Sequence, residues 1–236
     1  MLHKNQSTRE FPIYRPIRSF VRREGRMTRG QKIALQRLWP RYGIDVHEDY
    51  LDLDMVFGRH APCMLEIGLG MGDSLIEMAC NHPENDYLGV EVYRPGVGSL
   101  LSRLDECGIG NVRVINNDAK MVLQQMIPED SISAVYIFFP DPWPKKRHHK
   151  RRLIQPSFIE LLSGKLKPGG MLHMATDWED YAHHMIAVMN HASMFANTAG
   201  GNHFSPRLAD RPLTKFEQRG MKLGHEVWDL VFRKTA

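Results

Sequence analysis

The chain has 236 residues, of which 42% are hydrophobic and 25% are charged, and its mean hydropathy is −0.38. This composition predicts a protein that buries a sizeable core, and it excludes wholesale disorder. The longest strongly apolar run, residues 134–139, is far shorter than the roughly 18 residues of a membrane helix. The three cysteines are too few and too scattered for a disulfide scaffold or a CxxC metal site, so we expect a reducing, cytoplasmic location.

Positive charge is concentrated in two segments, although the net charge is only +4. Residues 1–30 hold eight Lys or Arg and two Glu, and residues 145–152 hold six Lys or Arg and no acid. Each segment carries a net +6, which leaves −8 for the rest of the chain. A single basic run is usually a solvated face, but two such runs on an acidic body favour nucleic acid as a partner.

The first 40 residues show little hydrophobic periodicity. Residues 1–28 are predicted to form an extended arm, and residues 30–39 one short helix that ends before Pro40. The arm has no apolar core of the kind that a secretory signal requires. We therefore expect a basic arm with a short helix over residues 1–40, followed by one domain over residues 41–236.

Short apolar segments and helical patterns alternate after residue 40. The predicted strands are 63–67, 87–92, 112–115, 134–139 and 171–175, and the predicted helices are 73–80, 97–107, 119–126, 153–165 and 178–194. Residues 167–170 are predicted to be a turn, and residues 226–232 a late edge strand. This alternation predicts an α/β, Rossmann-like fold whose mostly parallel sheet binds ligands at the carboxyl ends of its strands.

A glycine-rich turn follows the first of these predicted strands. Glu66 precedes Gly68, Gly70 and Gly72, which permit a tight turn and a close backbone approach to a ligand at a helix N-terminus. The same turn also fits a loop that needs positive φ for packing. However, Asp73 stands where a dinucleotide fingerprint has its third glycine, and acidic groups here suit a cationic amino-acid group better than a pyrophosphate. The turn therefore favours S-adenosylmethionine over a nicotinamide dinucleotide.

Acidic residues also follow the second and third predicted strands. Glu91 lies nineteen residues after Gly72, where a carboxylate is able to accept both hydroxyls of a ribose. Asp118 belongs to a polar cluster placed to meet an adenine edge, although an acid alone in such a position is more often a helix N-cap or a solvated loop residue. Together with the glycine turn, these acids predict an adenosyl-sulfonium site.

The fourth predicted strand runs into the sequence FPDPWPKKRHHKRR, residues 139–152. Three prolines fix the backbone around Asp141 and Trp143, where the sheet crevice opens, and the basic cluster follows at once. A rigid carboxylate beside a basic loop is hard to explain by packing. Trp178 and Trp228 are predicted to pack, whereas Trp143 leaves packing and base stacking both open.

These motifs resemble those of the bacterial tRNA (guanine-N7)-methyltransferases. The resemblance rests on residues 139–152, the turn at 66–72, the arm sequence IRSFVRREGRMT at 17–28 and the tail sequence TKFEQRG at 214–220, and it extends over nearly the whole chain. It implies a class I S-adenosylmethionine-dependent methyltransferase fold with a seven-stranded sheet. The implied reaction is methylation of guanine N7 in the variable loop of tRNA.

The resemblance also implies roles for individual residues. The implied cofactor-binding residues are Glu66, Gly68, Gly70, Gly72, Glu91, Asp118 and Asp141, of which Asp141 is also the implied catalytic residue. The implied substrate-binding residues are Lys145, Asp177, Thr214, Lys215, Phe216 and Glu217. The implied RNA-contacting residues are Arg147, His148, His149, Lys150, Arg151 and Arg152. From sequence alone, Asp177 is also explained as a helix N-cap, and Thr214 with Glu217 as a capping box.

The implied chemistry is consistent with these residue types. Guanine N7 carries an in-plane lone pair and no proton, so it needs no general base, and catalysis is mainly alignment of the reacting groups. Asp141 is able to accept hydrogen bonds from guanine and to offset the positive charge that develops on its ring, and Lys145 is able to donate to the guanine carbonyl.

Two other functions remain open from the sequence. A methyltransferase for an exocyclic amine of another RNA would also use a polar residue and prolines after the fourth strand. A non-catalytic RNA-binding module would keep the basic segments without needing Glu66, Glu91 and Asp141. A metal is not expected, because the paired histidines lack acids or cysteines at ligand spacing, and no obligate protein partner is indicated.

Overall fold

The structure is a computed structural model that describes residues 18–20, 25–214, 217, 218, 220, 224 and 226–235. The helices are α1 (Arg29–Tyr42), α2 (Leu53–Phe57), α3 (Asp73–Asn81), α4 (Arg94–Glu106), α5 (Ala119–Gln125), α6 (Pro156–Lys165) and α7 (Glu179–Asn190), with a 3₁₀ helix at Lys146–Arg151. The strands are β1 (Gly43–Ile44), β2 (Cys63–Ile67), β3 (Asp86–Val90), β4 (Val112–Ile115), β5 (Ile132–Phe138), β6 (Leu166–Thr176), β7 (Phe195–Asn197) and β8 (Trp228–Lys234).

The strands form one sheet in the order β1-β4-β3-β2-β5-β6-β8-β7. The pairs from β1 to β6 are parallel, and β8 runs antiparallel to both β6 and β7. The order reverses at β2, whose neighbours β3 and β5 lead the chain away in opposite directions. In such sheets the crevice for a ligand opens at the carboxyl ends of the strands beside this reversal.

Helices cover both faces of the sheet and enclose two apolar cores. On one face, α1, α3 and α4 contribute side chains such as Leu35, Leu75 and Leu101. On the other face, α5, α6 and α7 contribute side chains such as Leu123 and Phe158. Because both faces are covered, the central strands are nearly continuous runs of buried residues, as in β3, where all five residues are buried.

The mostly parallel α/β architecture predicted from the alternation is confirmed, but within the described residues the sheet has eight strands rather than the seven that the resemblance implied. The predicted strands 63–67 and 112–115 are confirmed with their bounds. Two strands were not predicted, namely β1 and β7, because two and three residues are too short to show a pattern. The predicted edge strand near residues 226–232 is instead an inner strand, since β7 pairs with its outer side.

Two local predictions at Pro40 and residues 167–170 were wrong. The first helix continues through Pro40 to Tyr42, because its last turn keeps its buried contacts and Pro40 itself is solvent-exposed. Residues 167–170 do not form a turn before the strand but lie inside β6. The pairing with β5 shifts there, from Ile132 opposite Leu166 to Ala134 opposite Met171, so the extra residues form a bulge.

Helix α1 is fixed to the domain by its first residues and by its inner face. The Oγ1 of Thr28 accepts a hydrogen bond from the Gln31 amide, and the Gln31 side chain accepts one from the Thr28 amide, which completes a capping box. The side-chain Nε2 of Gln31 also donates a hydrogen bond to Ser99 Oγ on α4 at 2.9 Å. The described residues 18–20 and 25–28 are those of the predicted arm that the structure places, while the rest of residues 1–28 lies outside the described residues.

Candidate functional site

Two neighbouring cavities open at the carboxyl ends of β2, β3, β4 and β5. The first cavity, of about 270 Å³, is lined by Glu91, Tyr93, Asn117, Asp118 and Asp141, among others. The second cavity, of about 340 Å³, is lined by Glu66, the glycine turn, Ser74 and Thr214. Gly68, Phe138 and Phe139 line both cavities, so the two spaces form one site around the turn after β2.

The glycine turn adopts a backbone conformation that most residues avoid. Gly68, Gly70 and Gly72 all have positive φ, at 81°, 57° and 78°. A Cβ built on Gly68 or Gly70 would meet no heavy atom within 4 Å, so a side chain there would extend into the cavities rather than into protein. The turn therefore agrees with both explanations that the sequence left open. Its backbone needs glycine for the positive φ values, and the open space at Gly68 and Gly70 allows a ligand to approach the backbone closely.

Glu91 connects the second strand to this turn. Its Oε2 accepts a hydrogen bond from the Gly70 amide at 2.8 Å, and its Oε1 accepts one from the Tyr93 amide at 2.7 Å. Burial raises the pKa of Glu91, while the backbone amides of Tyr93, Gly70 and Val92 lower it and nearby Asp141 raises it further. The carboxylate thus stabilises the floor of the first cavity and still presents its remaining lone pairs there.

Glu66 is the most deeply buried acid of the site, with 2% of its surface exposed. Ser74 Oγ donates a hydrogen bond to its Oε1, while its Oε2 is buried without a hydrogen-bond partner. Burial raises the pKa of Glu66 to about 7, with Ser74 acting to lower it and Glu91 to raise it. A buried carboxylate oxygen without a donor is costly, so this oxygen is suited to a cationic ligand group in the second cavity.

Asp118 shows both features that the sequence left open. Its Oδ1 accepts a hydrogen bond from the Lys120 amide at 3.0 Å, so it is the N-cap of α5. It also lines the first cavity beside Asn117, whose Oδ1 accepts the Asp118 amide at 2.7 Å. The cap fixes the side chain at the cavity wall, so the structural role does not exclude a binding role.

The proline-rich segment after β5 holds Asp141 in a constrained loop. Phe139 and Trp143 have positive φ, 52° and 47°, which is uncommon and strained for residues with large side chains. Asp141 between them is exposed and lines the first cavity together with Pro140. Such strain persists only where the surroundings determine the backbone, so the loop sets the position of the Asp141 carboxylate.

Arg152, which the resemblance placed among RNA contacts, is buried at the end of the basic segment. Its Nε donates to the Pro142 carbonyl at 2.9 Å, its Nη2 pairs with Asp180, and its guanidinium lies 4.8 Å from the centroid of the Tyr181 ring. Only 1% of the side chain is exposed. Arg152 therefore ties the proline-rich loop to α7, and its guanidinium is not exposed to solvent.

The other residues of the basic segment differ in exposure. Arg147 and Lys150 are exposed on the 3₁₀ helix, and His148 and His149 are half-buried. Arg151 stacks on Trp143 at 3.9 Å from the ring centroid and donates to the carbonyls of Arg18 and Phe20. Arg147 and Lys150 are therefore the members of the predicted RNA-contacting set that present free charge to solvent.

Trp143, which the sequence left open, packs against residues 18–20. Its Nε1 donates to the Ser19 carbonyl at 2.9 Å, and His148 meets its ring edge-on at 5.9 Å. Ser19 and Phe20 in turn line the first cavity, so this short part of the N-terminal segment closes one side of the site. By contrast Trp178, predicted to pack, is 41% exposed beside Asp177.

The predicted substrate-binding residues fall into three groups. Lys145 and Asp177 follow β5 and β6 at the same edge of the sheet as Asp141, with Lys145 exposed and Asp177 half-buried. Thr214 lines the second cavity, whereas Glu217 is buried and paired with Arg211. Lys215 and Phe216 lie outside the described residues.

Several residues at the site were missed by the sequence analysis. Tyr93 and Leu153 line the first cavity, and Ser74 donates a hydrogen bond to Glu66. Asn117, which belongs to the polar cluster predicted to meet an adenine edge, also lines the first cavity. The others have ordinary side chains for a strand end or a helix start, so only the folded positions reveal them.

The described residues include no group of three or more His, Cys, Asp or Glu side chains arranged to hold a metal ion. Among the helices that the structure describes, none is both long enough and apolar enough to cross a membrane.

Comparison with known proteins identifies relatives over the whole chain. A family model described as "Putative methyltransferase" matches residues 60–230. A tRNA (guanine-N(7)-)-methyltransferase of Aliivibrio fischeri is 54% identical over 233 residues, which cover 99% of this chain and 98% of that protein. A protein of the same name from Alkalilimnicola ehrlichii is 57% identical over 222 residues, which cover 93% of each chain.

Solved structures with low sequence identity share the fold. The 16S rRNA methyltransferase KamB superposes with a TM-score of 0.59 at 11% identity, over 80% of this chain and 95% of that chain. A structure described as an antibiotic-related methyltransferase gives a TM-score of 0.53 at 12% identity, over 82% and 96% of the two chains. The architecture is thus that of the S-adenosylmethionine-dependent class I methyltransferases.

Proposed function

Because the chain belongs to the tRNA (guanine-N(7)-)-methyltransferase family, we propose that it transfers a methyl group from S-adenosylmethionine to N7 of a guanine in tRNA. The observation that carries the proposal is the pair of joined cavities at the carboxyl ends of β2 and β5, with Glu66, Glu91 and Asp141 around them. The guanine is expected in the variable loop, as the resemblance implies.

The residues of the two cavities fit S-adenosylmethionine. The unpaired buried Oε2 of Glu66 is suited to the ammonium of the methionine moiety, which would satisfy both its charge and its missing donor. Open space at Gly68 and Gly70 admits a ligand against the backbone. Glu91 is suited to the ribose hydroxyls, and Asn117 with Asp118 to the adenine edge.

When bound, S-adenosylmethionine supplies an activated methyl group on a sulfonium sulfur. The protein's task is then to orient guanine, because N7 already carries the lone pair that forms the new bond. Asp141 accepts hydrogen bonds from the donor edge of guanine and offsets the positive charge that develops on its ring. Lys145, Asp177 and Thr214 are assigned to the same guanine from their place at this edge of the sheet.

The exposed cations next to Asp141 are assigned to the tRNA backbone. Arg147 and Lys150 present their charge on the 3₁₀ helix that follows the proline-rich loop. Arg151 and Trp143 hold residues 18–20 against the site, and Arg152 anchors the loop to α7. Phosphate contacts position a nucleic acid without reading its sequence, so these residues serve affinity rather than choice of atom. We propose a cytoplasmic location, which agrees with a tRNA substrate and with the small number of cysteines.

The test is to incubate the purified chain with tRNA and methyl-labelled S-adenosylmethionine, digest the RNA and separate its nucleosides. We expect label in 7-methylguanosine, at a variable-loop position when the tRNA is mapped by site-specific cleavage. A matched Glu91→Gln variant should need more S-adenosylmethionine for the same rate. Label in an exocyclic-amine product would instead identify an amine methyltransferase, and an absence of S-adenosylmethionine binding would leave an RNA-binding module.

A further inference from the structure

Arg211 is a fully buried cation outside the sites already described. Its Nη1 and Nη2 each donate to one oxygen of Glu217 at 2.6 Å, which is a bidentate ion pair. Its Nε lies 2.7 Å from Asp229 Oδ1, although the N–H is not aimed at that oxygen. The exposed fractions of the three side chains are 0%, 3% and 2%. The charges are therefore shielded from water and held together.

The network is rooted in the sheet. Asp229 lies on β8, and its Oδ1 is also 2.7 Å from His173 Nε2 on the neighbouring strand β6. The Ser205 amide donates to the Asp229 carbonyl at 2.8 Å, and the Ser205 hydroxyl accepts from the Val231 amide at 3.1 Å. Ser205 and Arg211 are thus both fixed to β8, and Asp229 links Arg211 to β6 through His173.

The other end of the network reaches the site. The Glu217 amide donates to Thr214 Oγ1 at 3.1 Å, and Thr214 lines the second cavity beside Glu66. The Arg211 guanidinium also lies 6.0 Å from the centroid of the Phe139 ring. Phe139 lines both cavities and stands two residues before Asp141. Arg211 therefore connects the sheet to both walls of the region where methyl transfer is proposed.

A direct contact between Glu217 and guanine conflicts with this geometry. Both Glu217 oxygens are already occupied by Arg211, and 2% of the residue is exposed. To accept a hydrogen bond from a base, the carboxylate would have to leave its partner and strand a buried guanidinium. The resemblance implies that Glu217 binds the substrate, but this geometry favours an indirect effect of Glu217 through its ion pair with Arg211.

We propose that Arg211 and Glu217 are positioning residues for methyl transfer, which hold Thr214 and Phe139 against the cofactor cavities without contacting the guanine. The inference rests on the proposed function for its kinetic consequence. Its structural part, the attachment of Thr214 through the ion pair, does not depend on which reaction the site performs.

The test compares Arg211→Met, Glu217→Gln and the double variant in tRNA methylation at saturating S-adenosylmethionine. We expect each single variant to lower kcat by tenfold to a hundredfold, with less than a threefold change in KM for tRNA. The double variant should be no slower than the slower single variant, because both changes break one pair. A Glu217→Gln variant that raises KM for tRNA more than tenfold, while Arg211→Met leaves it unchanged, would overturn the proposal in favour of direct contact.

A matched control separates positioning from general loss of stability. Lys165 is a buried cation paired with Glu129 at the opposite, amino-terminal edge of β6. Lys165→Met should lower the unfolding temperature as Arg211→Met does, yet change kcat less than twofold when all proteins are assayed below their unfolding transitions. An equal loss of kcat in both variants would reduce Arg211 to a stabilising residue and contradict the proposal.

Amide hydrogen exchange supplies a readout that needs no activity. The Gln218 amide donates to the Thr214 carbonyl at 2.9 Å, so its exchange reports whether this segment stays attached. We expect at least tenfold faster exchange at Glu217 and Gln218 in Arg211→Met, and no change there in Lys165→Met. Unchanged exchange in Arg211→Met would sink the inference, whereas a wild-type protein that leaves tRNA unmethylated would instead overturn the proposed function.

Discussion

Glu66 is an acid whose chemistry depends on whether its cavity is filled. Burial raises its pKa to about 7, so near neutral pH the free protein holds a mixture of its protonated and ionised forms. An ammonium group at the unpaired Oε2 would favour the ionised form. Binding of S-adenosylmethionine is then coupled to loss of a proton from Glu66 below about pH 7.

We therefore predict that the affinity for S-adenosylmethionine falls as the pH drops from 7.5 to 5.5, by up to about tenfold for each unit below the pKa of Glu66. Calorimetry on the free enzyme measures this directly. Glu66→Gln should bind more weakly at pH 7.5 and show a flatter pH dependence, with Glu91 accounting for what remains. Parallel pH curves for the two proteins would mean that Glu66 does not face the ammonium.

The same pKa sets a stability change in the absence of ligand. The pKa of Glu66 in the folded state lies above its ordinary value of 4.5, so the folded state holds the proton more tightly than the unfolded state. The contribution of Glu66 is fully present below pH 4.5 and is lost as the pH rises through about 7. Relative to wild type, Glu66→Gln should therefore gain stability between pH 5 and pH 8, by at most about 3 kcal/mol, in urea unfolding. A stability difference that does not vary with pH would contradict the raised pKa.

Asp141 is the other acid whose role is tested by replacement. Its loop carries strained residues on either side, and its carboxylate is exposed at the first cavity. Asp141→Ala should lower kcat at least a hundredfold, about 3 kcal/mol, because the guanine loses its acceptor and its charge compensation. The assay needs saturating S-adenosylmethionine, since Asp141 is also assigned to cofactor binding. Near-normal turnover in a folded variant would return Asp141 to a structural role.

At the level of elements, the basic segment around the 3₁₀ helix contains two kinds of cation: exposed ones assigned to RNA binding and a buried one that stabilises the fold. Arg147 and Lys150 are exposed, so Arg147→Gln with Lys150→Gln should weaken tRNA binding and reduce the slope of log affinity against log salt. Two lost phosphate contacts correspond to a slope change of about 1.5. Fluorescence titration at several salt concentrations measures it. An unchanged slope would mean that this face of the helix does not meet RNA.

Arg152 in the same sequence run provides the matched contrast. Arg152→Met leaves the Pro142 carbonyl without its donor and removes the guanidinium from the Tyr181 ring, while Asp180 is exposed to water, so it should cost about 1–3 kcal/mol of folding stability. Its salt slope for tRNA should match that of wild type at a temperature where the variant is folded. A slope reduced as much as in the Arg147 and Lys150 variant would show that Arg152 reaches RNA despite its burial.

The elements that could be predicted from the sequence are those whose burial produces a clear pattern of apolar residues. The central strands are covered on both faces, so their apolar runs stand out, and 63–67 and 112–115 were predicted with their bounds. The position of β8 inside the sheet could not be predicted from the sequence. It depends on the pairing of β7 with the outer side of β8, and β7 has only three residues. The persistence of α1 through Pro40 likewise depends on packing rather than on propensity.

The part of the candidate site that could be predicted from the sequence consists of the acids at the carboxyl ends of the predicted strands. Glu66 is the penultimate residue of β2, and Glu91 and Asp118 follow β3 and β4, so these neighbouring parallel strands bring the three acids to one edge of the sheet. The different contacts of Arg151 and Arg152 could not be predicted from the sequence. Two adjacent arginines have the same chemistry, and only the fold decides that Arg151 bonds the Arg18 carbonyl while Arg152 is buried against Asp180. Arg211 escaped notice for the same reason, since a lone arginine in a tail indicates an exposed charge.

At the scale of the whole molecule, exposed cations lie on two of the described helices. One is the 3₁₀ helix, which follows the loop that holds Asp141 at the first cavity, and the other is α1, which begins four residues after Gly25, a neighbour of Tyr93 at the same cavity. Helix α1 contains no acid and exposes Arg29, Lys32 and Arg37. Affinity and chemistry are thus assigned to different parts of the protein, the first to its surface cations and the second to the cavities.

This separation predicts the behaviour of a tRNA whose guanines are replaced by 7-deazaguanine, in which carbon takes the place of N7. The modified transcript should bind within about threefold of the normal one, because phosphate contacts dominate affinity and do not read the base atom. It should accept no methyl group, because the lone pair that forms the new bond is missing. Binding is measured by titration, and transfer is measured by label from S-adenosylmethionine.

The exocyclic amine and the rest of the Watson–Crick edge are unchanged in 7-deazaguanine, so the same transcript distinguishes the two candidate reactions. An enzyme that methylates the amine would modify the deaza transcript at nearly its usual rate. A normal transcript in the same tube serves as the control, since it should be labelled while the deaza transcript competes for binding. Transfer to the deaza transcript at a comparable rate would rule out N7 as the nucleophile, and the role of Asp141 would then change from orienting a base to accepting a proton.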